Sequence, residues 1–134
     1  MGTTRVCFRL TIDPAKLTEY VRRHRDVWPE MLDEIAASGR RNYSIYLADD
    51  GTLIGYYETN DDEAASAYLA SSPIAAKWEA EMSSFFVDLT GRPDQGSVRL
   101  VEIFNLDEQI AARPEGLEPT RRAESGLEAP RTAF

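Results

Sequence analysis

Tyr20 and His24 stand four positions apart in the run Glu19-Tyr20-Val21-Arg22-Arg23-His24, and His24 is the only histidine of the chain. On a helix that spacing puts the phenol and the imidazole on one face, one turn from each other. Histidine titrates near neutrality, so an imidazole beside a bound ligand can donate and recover a proton at working pH. The same spacing also suits a histidine at the surface or core edge, and a Tyr20 that belongs to an apolar stripe with Leu17 and Val21. Spacing alone leaves both readings open. Farther along stand Tyr43, Tyr56, Tyr57 and Trp78. Each taken singly reads as core. As a set in a pocket with few charges they suit a sugar, whose C–H faces pack on rings while its hydroxyls take hydrogen bonds.

What is missing narrows the chemistry. One cysteine and one histidine do not make a zinc site, and Cys7 has no partner for an intrachain disulfide. Its apolar neighbours predict a buried thiol rather than a nucleophile. The chain carries no phosphate loop, no dinucleotide fingerprint and no serine-histidine-acid arrangement. An enzyme built from it works by acid–base chemistry and positioning, with no cofactor. A net charge of −8 and a pI near 4.7 argue against nucleic acid or an anionic membrane as partner. No apolar stretch approaches the roughly 18 residues of a membrane span, and Met1 to Arg5 runs into a strand pattern without an apolar leader. The cytoplasm is therefore the expected compartment, and a small molecule the expected partner.

The elements that must position these residues follow from periodicity. Val6, Phe8, Leu10 and Ile12 alternate with Arg5, Cys7, Arg9 and Thr11, a strand with one face on a core. Asp13-Pro14 opens a helix to about Arg25, and a second runs from near Asp26–Pro29 to Ser38, with a break at Pro29 and a stop at Gly39. Strands at 42–47 and 53–59 flank the turn Asp49-Asp50-Gly51, which lacks the ligand spacing of a calcium loop. On the first of these, Tyr43, Ile45 and Leu47 share one face, and Asn42, Ser44 and Tyr46 the other. A helix from about Asn60 to Leu69 restarts at Ser72-Pro73 and continues to about Phe86, a loop covers 90–97, and a last strand covers 98–106. The order β-α-β-β-α-β is the ferredoxin-like unit: an α+β fold, with a four-stranded antiparallel sheet and helices on one face. The uncovered face predicts a homodimer, sheet against sheet. Residues 1–106 form this domain. Residues 107–134, with three prolines and scattered apolar positions, read as a mobile tail, or as a strap over a partner anchored by Ile110, Leu127 and Phe134.

Three segments together carry a family resemblance. Tyr20-Val21-Arg22-Arg23-His24, then Val27-Trp28-Pro29-Glu30, then Asn42-Tyr43-Ser44-Ile45-Tyr46-Leu47 closely resemble the L-rhamnose mutarotases, over roughly residues 5–106. The resemblance implies a dimeric α+β barrel that interconverts the α and β anomers of L-rhamnose. It implies that His24 is the proton donor, and that Tyr20, Tyr43 and a tryptophan pair on the last helix contact the sugar. Trp78 matches the first of that pair, but Glu79 stands in the second position. A carboxylate there removes a stacking surface and adds an acceptor for hydroxyls, which brings a differently configured deoxy sugar such as L-fucose into view. In this reading His24 is the general acid at the ring oxygen, Tyr20 and Tyr43 orient hydroxyls, Trp78 packs the sugar and Glu79 lies against it. The base is open between Glu79, water and a partner-chain residue. Two rivals stand beside it: a dimeric α+β barrel monooxygenase or haem-degrading enzyme, and a non-catalytic ligand-binding module.

Overall fold

The computed structural model describes residues 2–114. Two compact units divide after Glu102. In the first, strand β1 (Thr4–Thr11) leads through a 3-10 turn at Pro14–Lys16 into α1 (Leu17–His24) and α2 (Pro29–Ser38). Strands β2 (Arg41–Leu47) and β3 (Thr52–Thr59) follow, then α3 (Asp62–Ala70), α4 (Pro73–Met82), the short α5 (Pro93–Gly96) and β4 (Val98–Leu100). The sheet is antiparallel throughout, in the order β2-β3-β1-β4. That is the ferredoxin-like arrangement, with its first crossover broken into α1 and α2 and its second into α3, α4 and the short α5.

Proline and capping side chains set the breaks. Trp28 is held extended (φ −52°, ψ 132°) because the ring of Pro29 excludes the helical region for the residue before it. Helix α2 therefore starts at Pro29 itself, the last position of the expected range from Asp26 to Pro29. Ser72 caps α4 by accepting from the Ala75 N–H, with Pro73 in the first turn. Asp61 does the same for Ala64 at α3, and Asp13 for Ala15. Helix α4 stops at Met82, short of the expected Phe86, and passes into a 3-10 turn over Ser83–Phe85. There the Ser83 hydroxyl donates to the Ala80 carbonyl, a local bond that competes with the helical ladder.

One face of the sheet carries the core. Val6, Phe8, Ile12, Leu53 and Tyr57 pack under Tyr20, Met31, Leu69, Trp78, Met82 and Phe85. Gly55 is required by close approach: a Cβ there would lie 2.1 Å from the tip of the Phe8 ring on the neighbouring strand. That ring leans instead on Tyr43 and Tyr57, at centroid distances of 6.4 and 6.3 Å.

Strand β2 reaches its register through a bulge. Arg41 pairs with Glu58 and Ser44 with Tyr56, so Asn42 and Tyr43 together oppose Tyr57. Asn42 takes up a left-handed conformation (φ 50°), which asparagine tolerates, and its amide donates to Glu58. The extra residue resets the alternation, and Tyr43, Ile45 and Leu47 turn toward the helices while Ser44 and Tyr46 face away.

On the other face, Tyr46, Val98 and Leu100 are exposed and Cys7 is half-buried, so the thiol is less enclosed than its apolar neighbours predict. Strand β4 is also shorter than the expected 98–106. Its one ladder neighbour is β1, and beyond Leu100 the Glu102 side chain meets Arg5 in an ion pair (2.9 Å) where a backbone rung would have been. The second unit, Ile103–Phe134, contains helix α6 (Leu106–Ala111), capped by Asn105 accepting from the Glu108 N–H. Leu106, expected in the strand, begins this helix. Ile110 is exposed on it, and the expected anchors Leu127 and Phe134 lie outside the described residues.

Candidate active site

A cleft of about 470 Å³ is lined by His24, Met31, Arg40, Tyr43, Trp78, Glu79 and Asp94 among others. A smaller recess of about 70 Å³ shares His24, Tyr43, Trp78, Glu79 and Asp94 with it and adds Tyr20. All five residues singled out from sequence thus line one of these two spaces, and four of them line both. Tyr56 and Tyr57 line neither. Tyr56 hydrogen-bonds Glu58, on the face away from the helices, and Tyr57 is buried in the core with its hydroxyl on Asp62.

The imidazole of His24 is fixed on three sides. Tyr20 stacks on it at 4.2 Å and Trp78 meets it edge-on at 5.4 Å, with Trp28 behind Trp78 at 5.0 Å. Nδ1 lies 3.0 Å from the Tyr20 carbonyl, one helical turn earlier. A carbonyl only accepts, so Nδ1 carries the proton in this contact and Nε2 is left for a ligand. Burial pushes the His24 pKa below its ordinary value, partly opposed by that carbonyl. Phe85 and Phe86 close around Tyr20, which is 5% exposed. Burial raises the phenol pKa of both Tyr20 and Tyr43, so both remain neutral hydrogen-bonding groups at any physiological pH. Arg22 and Arg23, prominent in the motif, take no part in lining the cleft. Both hold Glu19, and Arg23 also reaches Glu81, which ties α1 to α4.

The opposite wall is charged. Burial, and next to it the neighbouring Asp94, raises Glu79 to about 7; the Asp94 backbone N–H and the more distant Arg92 and Arg40 act the other way. That N–H donates to Glu79 Oε1 at 3.0 Å, and the other carboxyl oxygen has no hydrogen bond among the described residues. Arg92 grips the Asp94 carboxylate through two bonds of 2.9 and 2.8 Å. Arg40 is 8% exposed, its guanidinium 4.2 Å from the Tyr57 ring centre, with one bond to Ser66. Its Nε has no hydrogen-bond partner, and Arg40 forms no ion pair among the described residues.

Arg40 and Asp94 escaped the sequence reading. Arg40 sits between the helix-ending Gly39 and β2, where a charge ordinarily signals solvent. Asp94 lies in a segment whose glycines and prolines read only as loop. The preceding Arg92, paired to it two residues away, was the available signal.

A ferredoxin-like sheet whose helices enclose an aromatic-walled cleft lined by the chain's one histidine defines a small α+β domain with a concave pocket of ligand size. The sequence model described as L-rhamnose mutarotase matches residues 5–106. An L-rhamnose mutarotase of Oceanobacillus iheyensis is 38% identical over 75% of this chain and 95% of its own. One of Rhizobium johnstonii is 33% identical over 74% and 92%. Among solved structures, L-rhamnose mutarotase FA22100 from Formosa agariphila superposes with a TM-score of 0.63 at 26% identity, over 76% of this chain and 97% of its own. The chain belongs to the L-rhamnose mutarotase family.

Proposed function

We propose that this protein is an isomerase that interconverts the α and β anomers of L-rhamnose by acid–base ring opening. The observation that carries the reading is the pinned imidazole of His24, whose free Nε2 belongs to a ring that lines the cleft. In its protonated form Nε2–H donates to the ring oxygen as the C1–O5 bond breaks. The open-chain aldehyde turns about C1–C2, and closure on the other face returns the proton to Nε2. Tyr20 and Tyr43 orient hydroxyls, Trp78 packs against the C–H face of the sugar, and Glu79 bounds the far wall. No redox change and no covalent intermediate enters this sequence.

Anomer exchange followed by NMR tests it. L-rhamnose exchange accelerates with the wild-type protein, and His24→Asn loses on the order of 10²–10⁴-fold. A wild type that leaves L-rhamnose exchange at its spontaneous rate sinks the reading, as does a mutant as fast as wild type. The charged wall of Arg40, Glu79 and Asp94 favours a second reading of the substrate, a deoxy sugar of different configuration such as L-fucose. A panel of both sugars ranks them by kcat/KM.

The reading includes a homodimer closed over the open sheet face, supported by exposed Tyr46, Val98 and Leu100. Ultracentrifugation of the wild type checks it. It includes a cytoplasmic setting, which suits the unpaired thiol of Cys7. It assigns the activity to residues 1–106 and none of it to 107–134.

A further inference from the structure

We propose that Glu79 is the second proton-transfer residue of the ring opening, exchanging a proton with the anomeric hydroxyl while His24 exchanges one with the ring oxygen. The inference rests on the ring-opening function proposed above and supplies the base that it leaves unassigned.

Ring opening needs a donor at O5 and an acceptor at O1 in the same step. His24 has one nitrogen committed to the Tyr20 carbonyl, so it serves a single oxygen. Glu79 lines both the cleft and the smaller recess, as His24 does, and among the described residues no other carboxylate but Asp94 lines either of them. Asp94 is clamped by Arg92 through both of its oxygens. Glu79 has one oxygen anchored on the Asp94 N–H and the other uncommitted. An anchored carboxyl with a free oxygen, facing the same space as the imidazole, is the geometry of a proton acceptor held ready for substrate.

The step balances. Nε2–H of His24 passes its proton to O5 as the C1–O5 electron pair moves onto that oxygen. The Glu79 carboxylate takes the O1 proton as C1=O1 forms. After rotation about C1–C2, neutral Nε2 removes the proton from the O5 hydroxyl, O5 attacks C1, and the Glu79 carboxylic acid returns its proton to O1. Each residue ends as it began, and solvent supplies nothing.

The groups facing Glu79 keep it able to work in both directions. Burial and Asp94 disfavour its charge, Arg92 and Arg40 favour it, and Tyr20 and Tyr43 face it as neutral phenols, which leaves it titrating at about 7. His24 faces the same space from α1 with its own ionisation lowered. The productive state is the pair holding one proton between them, so the rate belongs to the pair.

Glu79→Gln is the test, because glutamine preserves an acceptor for the Asp94 N–H and cannot titrate. With L-rhamnose, kcat falls on the order of 10²-fold with little change in KM, and the bell-shaped pH profile collapses to a single limb. Glu79→Asp, which restores a carboxylate, restores the bell. An E79Q with wild-type kcat, or with only a raised KM, overturns the assignment and leaves Glu79 a wall residue. A wild type that does not accelerate exchange overturns the function itself, which is a different result from a fast E79Q beside a fast wild type. If E79Q does not fold, carbon-13 titration of the wild-type carboxyl decides. Ionisation near neutrality supports the role, and ionisation in the ordinary carboxylate range refutes it.

Discussion

The two ends of the cleft are held by different forces. At one end Tyr20, His24, Trp78 and Trp28 stand ring against ring, and their positions follow from packing in the core. At the other, single hydrogen bonds that span 26 and 15 residues of sequence hold Arg40 and Glu79, and Arg92 clamps Asp94 through two more. Packing is tolerant of ionic conditions and intolerant of lost volume. A buried charged wall has the reverse character, since its members cost free energy to bury and respond to every neighbouring charge. The aromatic end thus gives the protein stability and a fixed imidazole, while the charged end gives it a proton inventory and a price in stability.

That contrast can be broken at each end. Trp78→Ala empties the space between His24 and Trp28, and urea unfolding should record a loss of about 3–5 kcal/mol. A loss near zero would show that the rings do not share one packed unit. At the charged end the sign reverses. The folded-state value of Glu79, about 7, is above its ordinary 4.5, so folding takes up a proton between those values and its contribution to stability declines as pH rises through them. Above pH 7 Glu79→Gln should therefore stabilise the protein by roughly 1–3 kcal/mol, with the difference vanishing below about pH 4. Thermal unfolding of the two proteins across pH measures it. Arg40→Met is the smallest of the three. Replacing an unpaired buried cation by an apolar chain of similar length should be neutral or stabilising by about 1 kcal/mol. It should also move the Glu79 ionisation upward, because one of the cations that favour its charge is gone.

How far each end can be read from sequence follows from the same contrast. Tyr20 and His24 share a helical face, and Trp78 follows Pro73 on a capped helix, so periodicity brings out the aromatic end. Tyr43 is read on its correct face, although the reason is a bulge at Asn42 that no alternation pattern announces. The charged end depends on chain segments that meet only in three dimensions. Asp94 becomes part of a site because its N–H reaches Glu79, and Arg40 because it folds inward over Tyr57. Strand β4 is overread for a related reason. Alternation persists past Leu100, but a strand needs a backbone ladder, and the ladder to β1 ends at Leu100 even though Glu102 still meets Arg5 through its side chain.

The bulge on β2 makes the site sensitive to counting as well as to chemistry. Because Asn42 and Tyr43 share one partner, losing the bulge while the pairing of Arg41 is kept would slip the segment by one residue against β3. Tyr43, Ile45 and Leu47 would then point away from the helices, and Ser44 and Tyr46 would take their places over the core. Every residue that lines the cleft would remain spelled as it is now, and the cleft would still lose a wall. A change of register at the start of β2 therefore threatens the site more than a change of letter within the strand.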